Sequence, residues 1–363
     1  MSTKSFRIAL LIVAGSLVVL LCVGLFMVNR ALGYPDEQRA GQGALVKVEI
    51  KRGMSFPQIA RLLHEKNVIE RPVWFRLYAM YRGVTTEVKT GEYAMRDNLS
   101  PAQVLDTILQ GVKDVSVSVT IPEGYNMLEA IDVVVKRGVV SNRDSLIAMA
   151  RDPTFLQRMG IAGDSVEGYL FPETYRFKVP SKPEEVLRRM IEQHRVVWDR
   201  VLRQHEKEVS KLRDKLDWSD RDILIMSSIV EKEAVVDTER PRIAQVFLNR
   251  LTVPTFKPKR LETDPTIRYG CMVPARKSAG CAKWDPTQRL RRAQLDDTDN
   301  QYNTYQHEGL PPGPICSPGE KSLIATVDPD GSDYFYFVAK DDRSHVFAKT
   351  VAEHERNVTR YQR

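Results

Sequence analysis

The chain has 363 residues, of which 42% are hydrophobic and 28% charged; this excludes a disordered tail and is enough for two folded domains, with room for a third. Lys and Arg number 54 against 47 Asp and Glu, a net charge of +7, with no polybasic block long enough to coat a nucleic acid. A solvated, mildly basic surface is the plain reading of that balance, and steering toward anionic lipid headgroups or an acidic polymer is the alternative.

Residues 1–7 form a short tail carrying Lys4 and Arg7. Ile8 to Val28 follows without a charge, and at about 1.5 Å per residue such a stretch matches a hydrocarbon core about 30 Å thick, so it predicts a membrane-spanning helix. The positive-inside rule places the amino-terminal tail in the cytoplasm and exports the rest. A cleaved signal peptide is the rival reading, but its apolar core would be shorter and would end at a small-residue site, which Val28-Asn29-Arg30-Ala31 is not. Residues 29–43 read as a polar linker that lifts the first folded unit off the membrane.

The first module spans 44–112. Leu45 to Ile50 largely alternates as a half-buried strand, Lys51-Arg52-Gly53 turns, and Ser55 caps a helix that carries Ile59, Leu62 and Leu63. A second helix runs from Arg71-Pro72 to Arg82-Gly83, Tyr93-Ala94-Met95 is a strand candidate, and Ser100-Pro101 opens a helix closed by Gly111. The larger unit spans 113–363. It opens with the alternating strand Val115–Ile121 and the turn Pro122-Glu123-Gly124, followed by helices at Leu128–Arg137 and Asp144–Met149. The aromatic stretch Glu167–Tyr175 reads as a loop, and Glu184 to Lys215 as one long helix with a solvated charged face. The expected fold class is α+β throughout the exported part, with short antiparallel sheets.

Ser219 and Asp222 suit the start of a helix that is then nearly apolar, through Ile223, Leu224, Ile225, Met226, Ile229 and Val230. Glu231 interrupts that run before Ala234-Val235-Val236 resume it. At about 100° per residue Leu224, Ser228, Glu231 and Val235 share a face, while Glu233 points about 200° away, so the two acids do not form a facing pair. Desolvation keeps a carboxyl protonated to higher pH, which suits a general acid. The competing reading is a structural ion pair of Glu231 with Arg240 or Lys232. A serine nucleophile is disfavoured, because apolar neighbours rather than a Gly-flanked elbow surround Ser227 and Ser228.

Ser228-Ile229-Val230-Glu231-Lys232-Glu233, Asn249-Arg250-Leu251, Thr263-Asp264-Pro265-Thr266, Tyr302-Asn303-Thr304-Tyr305 and Gly309-Leu310-Pro311-Pro312-Gly313-Pro314 occur in that order. With Ile121-Pro122-Glu123-Gly124 and Glu167–Tyr175, the chain resembles the endolytic murein (peptidoglycan) lytic transglycosylases over almost its whole length. Within it, Val48 to Leu63 resembles a LysM-like glycan-binding module.

The resemblance implies that Glu231 is the catalytic residue. It would protonate the oxygen between N-acetylmuramic acid and N-acetylglucosamine in nascent strands, then take the proton of the muramic 6-hydroxyl, leaving 1,6-anhydro ends and terminating elongation. Glu173, Asp264, Tyr302, Asn303 and Tyr305 are candidate substrate-binding groups, with turn capping as the alternative for Asp264 and Asn303. Tyr169, Phe171, Tyr175, Tyr269 and Tyr305 could stack on sugars or fill the core. No metal or cofactor is implied.

The implied location is the bacterial cytoplasmic (inner) membrane, single-pass, with the large unit in the periplasm or outside. The implied partners are peptidoglycan glycan strands, penicillin-binding synthases and the elongation machinery. A non-catalytic glycan-binding scaffold for those synthases is the alternative function. Two departures from the family pattern stand out. Glu262 replaces a Gln and, if close to Glu231, would raise the pKa of one of the two; and the Cys271–Trp284 loop is longer, with Cys271 and Cys281 placed so that a disulfide could staple it.

Overall fold

The computed structural model describes residues 21, 24, 25, 27–38, 41–112 and 116–362. The apolar stretch 8–28 falls mostly outside them; among the described residues no helix is long and apolar enough to cross a membrane. The chain divides into two compact units, residues 1–114 and 115–363.

In the first unit β1 (Leu45–Ile50) pairs antiparallel with β2 (Gly91–Arg96), with Leu45 opposite Arg96 and Ile50 opposite Gly91. Between them run α1 (Phe56–Glu65) and α2 (Pro72–Tyr81), and α3 (Pro101–Gln110) follows. The starts of α1 and α3 obey the same local chemistry: Gln58 reaches back to the Ser55 N–H at 2.8 Å, and Gln103 to the Ser100 N–H at 3.0 Å. Val48, Ile50, Leu63, Phe75, Met95 and Leu105 fill the core. The expected linker is partly structured. Residues 27–33 are helical, and Tyr34 is buried in this core, its hydroxyl donating to the Arg71 carbonyl at 3.1 Å. One aromatic anchor followed by Pro35 therefore ties the segment to the module instead of leaving it free.

The second unit begins with β3 (Ser116–Thr120), α4 (Met127–Lys136), α5 (Arg143–Ala150) and α6 (Pro153–Arg158). The stretch after Glu167 is irregular up to Glu173, but Thr174–Lys178 forms β4, antiparallel to β3, with Tyr175 and Phe177 buried on alternate positions. That strand is a correction to the expected loop: its period-2 signal spans just five residues and is masked by the aromatics before it. The long charged helix is also two, α7 (Pro183–Gln204) and α8 (Glu206–Leu216), divided at His205. A continuous helix would carry Val209 about 80° around the axis from Val201. The break returns Val209 and Leu212 to the core that holds Val197 and Val201.

Next comes α9 (Asp220–Glu233), capped by Ser219, with eight consecutive buried residues from Ile223 to Val230. It packs against α10 (Arg240–Thr252) and, later in the chain, α14 (Glu320–Val327). Between these lie α11 (Asp264–Met272) and the short helices α12 (Ala279–Ala282) and α13 (Arg292–Leu295). The chain closes with the hairpin β5 (Tyr336–Ala339) and β6 (His345–Ala348), against which α15 (Val351–Tyr361) packs. The fold is mixed α+β with three two-stranded antiparallel sheets among the described residues.

Candidate active site

Glu231 occupies the last turn of α9. The helix stops at Glu233 because Ala234 leaves the helical region, with φ −83° and ψ 113°. Val235 is therefore not on the helix face expected for it; it is exposed. The turn that follows brings Arg240, the first residue of α10, back against the carboxylate.

The surroundings of Glu231 also correct the expectation of an acid sunk among apolar side chains. Its side chain is 6% exposed, yet Arg240 Nη1 donates to Oε1 at 3.2 Å. On the other oxygen, the Gly319 N–H and the Ser322 hydroxyl donate to Oε2 at 3.0 and 2.8 Å. Arg240 Nη1 also donates to Ser322 Oγ at 2.7 Å, closing a ring of three side chains. The structural ion pair and the buried carboxyl are thus features of one site, and Gly319 and Ser322 sit at the first turn of α14, where free N–H groups favour an acceptor.

Two loops are zipped together to make this possible. Ile315 N–H donates to Ser228 Oγ at 3.0 Å, fixing the Pro-rich loop to α9. Gly124 N–H donates to the Ser317 carbonyl at 3.0 Å and Ser317 N–H to the Tyr125 carbonyl at 2.9 Å, so the Pro122-Glu123-Gly124 turn runs beside residues 315–319. Lys232 Nζ donates to the Gly124 carbonyl at 3.2 Å. Glycine at 319 lets the Glu123 side chain come close: a Cβ there would lie 2.1 Å from Glu123 Oε1. Gly168 has a different need, φ +84° with Pro314 packed 2.6 Å from where its Cβ would be.

Glu123 is the residue that sequence reasoning missed. Burial, and next the charge of Glu231, hold its carboxyl above the usual carboxylate range, against the pull of Arg240 and Lys321. The Ile121-Pro122-Glu123-Gly124 motif carries the signal, but a turn accounts for it equally well. Glu262 does not play the part considered for it: it faces Arg250 at 3.7 Å.

Glu233 does point away from Glu231. It sits among Thr263, Asp264, His345 and Arg250, with burial raising its pKa.

The other expected residues separate into several places. Asp264 Oδ1 accepts from the Tyr305 hydroxyl at 3.0 Å, so these two meet on one exposed edge. Asn303 is fully buried: its amide donates to the carbonyls of Gln294, Leu295 and Asp297, and its oxygen accepts from Tyr305 N–H at 3.0 Å. It is a loop clamp with no group left for a sugar. Glu173 is exposed, and its carboxylate accepts from the Thr174 N–H at 3.0 Å.

Tyr302 is half-buried against Tyr269, with ring centroids 4.7 Å apart. The Tyr269 phenol reaches Glu167, a fully buried carboxyl that burial pushes up to about 7, while the N–H groups of Met127 and Gly168 oppose the rise. Of the proposed stacking aromatics, Phe171, Tyr175 and Tyr269 are buried core residues. Tyr169 is half-buried and lines a cavity of about 500 Å³ with His194, Trp198, Arg221 and Leu224. Leu224 lies seven residues before Glu231, about 10 Å along α9.

Cys271 and Cys281 form a disulfide, with Cα atoms 4.7 Å apart. Among the described residues no cluster of His, Cys, Asp and Glu could hold a metal ion.

The model of the YceG-like family matches residues 48–360, and the chain belongs to that family. It is 29% identical over 353 residues to the endolytic murein transglycosylase of Bacillus subtilis, covering 93% of this chain and 90% of the relative. The endolytic murein transglycosylase of Streptococcus pneumoniae serotype 2 is 27% identical over 344 residues; 87% of this chain but just 58% of that longer relative is covered. The crystal structure of a yceG-like protein from Listeria monocytogenes superposes with a TM-score of 0.54 at 30% identity, over 86% of this chain and 98% of that one.

Proposed function

We propose that this protein is a lytic transglycosylase that cuts the bond between N-acetylmuramic acid and N-acetylglucosamine inside peptidoglycan strands, with Glu231 as its catalytic carboxyl. The observation that carries the reading is the construction around Glu231. Segments from four separate stretches of the chain, at 123–125, 231–232, 240 and 315–322, converge on one carboxylate that is almost completely buried. Folding a carboxylate, a guanidinium and two loop main chains into one spot costs desolvation energy that a purely structural site has little reason to incur.

The oxocarbenium-like transition state of glycosidic cleavage is cationic and needs a carboxyl beside the anomeric carbon and a proton at the leaving oxygen. Internal attack by the muramic 6-hydroxyl replaces water and gives a 1,6-anhydro end, so strand growth terminates. The apolar stretch 8–28 serves as a single inner-membrane anchor with the enzyme outside the cytoplasm, and the first unit, with its strand–helix–helix–strand order, binds glycan in the manner of LysM modules. Release of new ends at the membrane brings the protein to the same strands as the penicillin-binding synthases and the elongation machinery.

The purified full chain, mixed with uncrosslinked glycan strands, should release anhydromuramyl products detectable by mass spectrometry, and Glu231→Gln should abolish them. Reducing ends in place of anhydro ends would make the protein a hydrolase. Full activity in Glu231→Gln would remove the assigned residue and favour the scaffold reading.

A further inference from the structure

We propose that Glu123 delivers the proton to the departing sugar oxygen, while Glu231 is the carboxylate that receives the proton of the muramic 6-hydroxyl. This rests on the transglycosylase reading above and divides between two side chains the work that one glutamate would otherwise do in turn.

The argument begins with what each carboxyl already holds. Glu231 accepts at both oxygens, from a guanidinium at 3.2 Å, a main-chain N–H at 3.0 Å and a hydroxyl at 2.8 Å. Donors on every side are the arrangement of a carboxylate. Glu123 differs in each respect: it is exposed toward solvent, and among the described residues its side chain makes no hydrogen bond or ion pair. The two are nevertheless neighbours. Both touch Gly319, Glu123 through the 2.1 Å approach to its Cβ position and Glu231 through its N–H, and a Cβ at Gly124 would lie 3.6 Å from Glu231 Cγ.

The charges facing Glu123 come from three directions. Partial desolvation of the carboxyl is the largest cause acting on its pKa, Glu231 and Asp237 also raise it, Arg240 and Lys321 lower it, and the net direction is upward. A carboxyl without donors beside a carboxylate bonded at both oxygens is how one site can supply both an acid and a base.

The step balances. As the bond from C1 to the glycosidic oxygen breaks, the Glu123 proton passes to that oxygen; the muramic 6-oxygen bonds to C1, and its proton passes to Glu231. Afterwards Glu123 is the carboxylate and Glu231 the acid, and proton exchange with solvent resets the pair without net consumption of water.

An activated leaving group separates the two roles, since a dinitrophenolate departs without being protonated. Wild type, Glu123→Gln and Glu231→Gln, as full chains, are compared on natural glycan strands and on a dinitrophenyl muramoyl glycoside, with anhydromuramyl product as the readout. Glu123→Gln is expected to lose about 100- to 10,000-fold on strands, the usual worth of a general acid, and to cleave the activated glycoside at close to the wild-type rate. Glu231→Gln is expected to lose both.

Gly319→Ala is the second variant. Its backbone, at φ −74°, accepts alanine, and the new methyl displaces the end of the Glu123 side chain while leaving the N–H on Glu231, so it should show the same selective loss. Strand cleavage by Glu123→Gln at the wild-type rate would overturn the inference, as would rescue of Glu231→Gln by the activated substrate. If wild type makes no anhydro product from either substrate, the transglycosylase reading fails and this inference goes with it.

Discussion

Replacing Arg240 with Met should expose how the site is held together. The guanidinium is 7% exposed and the Glu231 side chain 6%, so solvent screens their 3.2 Å contact very little. Met fills most of the volume but removes the donor to Glu231 Oε1 and the 2.7 Å donor to Ser322 Oγ. Contact with the exposed Asp237 matters far less. A buried charge stripped of its partner costs about 3–5 kcal/mol, a large part of the roughly 5–15 kcal/mol that keeps a typical domain folded.

Removing both charges is a different matter, because the double variant Arg240→Met/Glu231→Met no longer buries either. It should regain most of the loss, giving a coupling energy of about 1–3 kcal/mol or more. Urea unfolding of wild type, both single variants and the double at one pH would measure this, with unchanged m-values needed for the comparison. A loss below about 1 kcal/mol for Arg240→Met, or losses that simply add in the double, would refute the claim that this pair is the keystone of the site.

The buried Glu167 makes stability depend on pH. Its pKa is raised in the folded state from 4.5 to about 7, so its contribution is complete below pH 4.5 and is lost as pH rises through 7. The loss at alkaline pH is roughly 3 kcal/mol, and Glu167→Gln should flatten the melting temperature between pH 5 and pH 8. An unchanged slope would show that this carboxyl is not the titrating group. His194 acts with the opposite sign: burial lowers it from 6.5 to about 4, so its contribution is complete above 6.5 and fades as pH falls through 4. His194→Phe should therefore gain relative stability on acidification, measured by the same melts. For the Cys271–Cys281 disulfide, whose cysteines are 10 residues apart, loop entropy sets a stabilisation of about 3 kcal/mol. Cys271→Ser/Cys281→Ser should lose that much in urea, and an equal midpoint with and without reductant in wild type would contradict it.

Much of the framework was legible because its causes are local. Ser55, Ser100 and Ser219 mark helix starts, since a hydroxyl and a residue three positions on satisfy N–H groups within one turn. The alternation of 45–50 likewise announced a strand with one wet face. Where local signals competed, the reading slipped. Five residues at 174–178 were too few to stand out, and the break at His205 is written in the drift of an apolar stripe and not in any Pro or Gly.

At the site, the sequence marked Glu231 as unusual, because a carboxylate within an apolar helix is expensive wherever that helix goes; a structural ion pair accounted for it equally, and the family resemblance made it the candidate catalytic residue. It was also enough to separate Glu231 from Glu233, since helix geometry turns adjacent odd positions apart. Tertiary structure alone decided what surrounds the carboxylate: that Arg240 and the start of α14 meet it, that Glu123 and not Glu262 is the carboxyl beside it, and that Asn303 is consumed within its loop. Those outcomes depend on contacts between residues far apart in the chain, Gly124 with Ser317 for instance, and no local propensity encodes which distant loop a side chain will face.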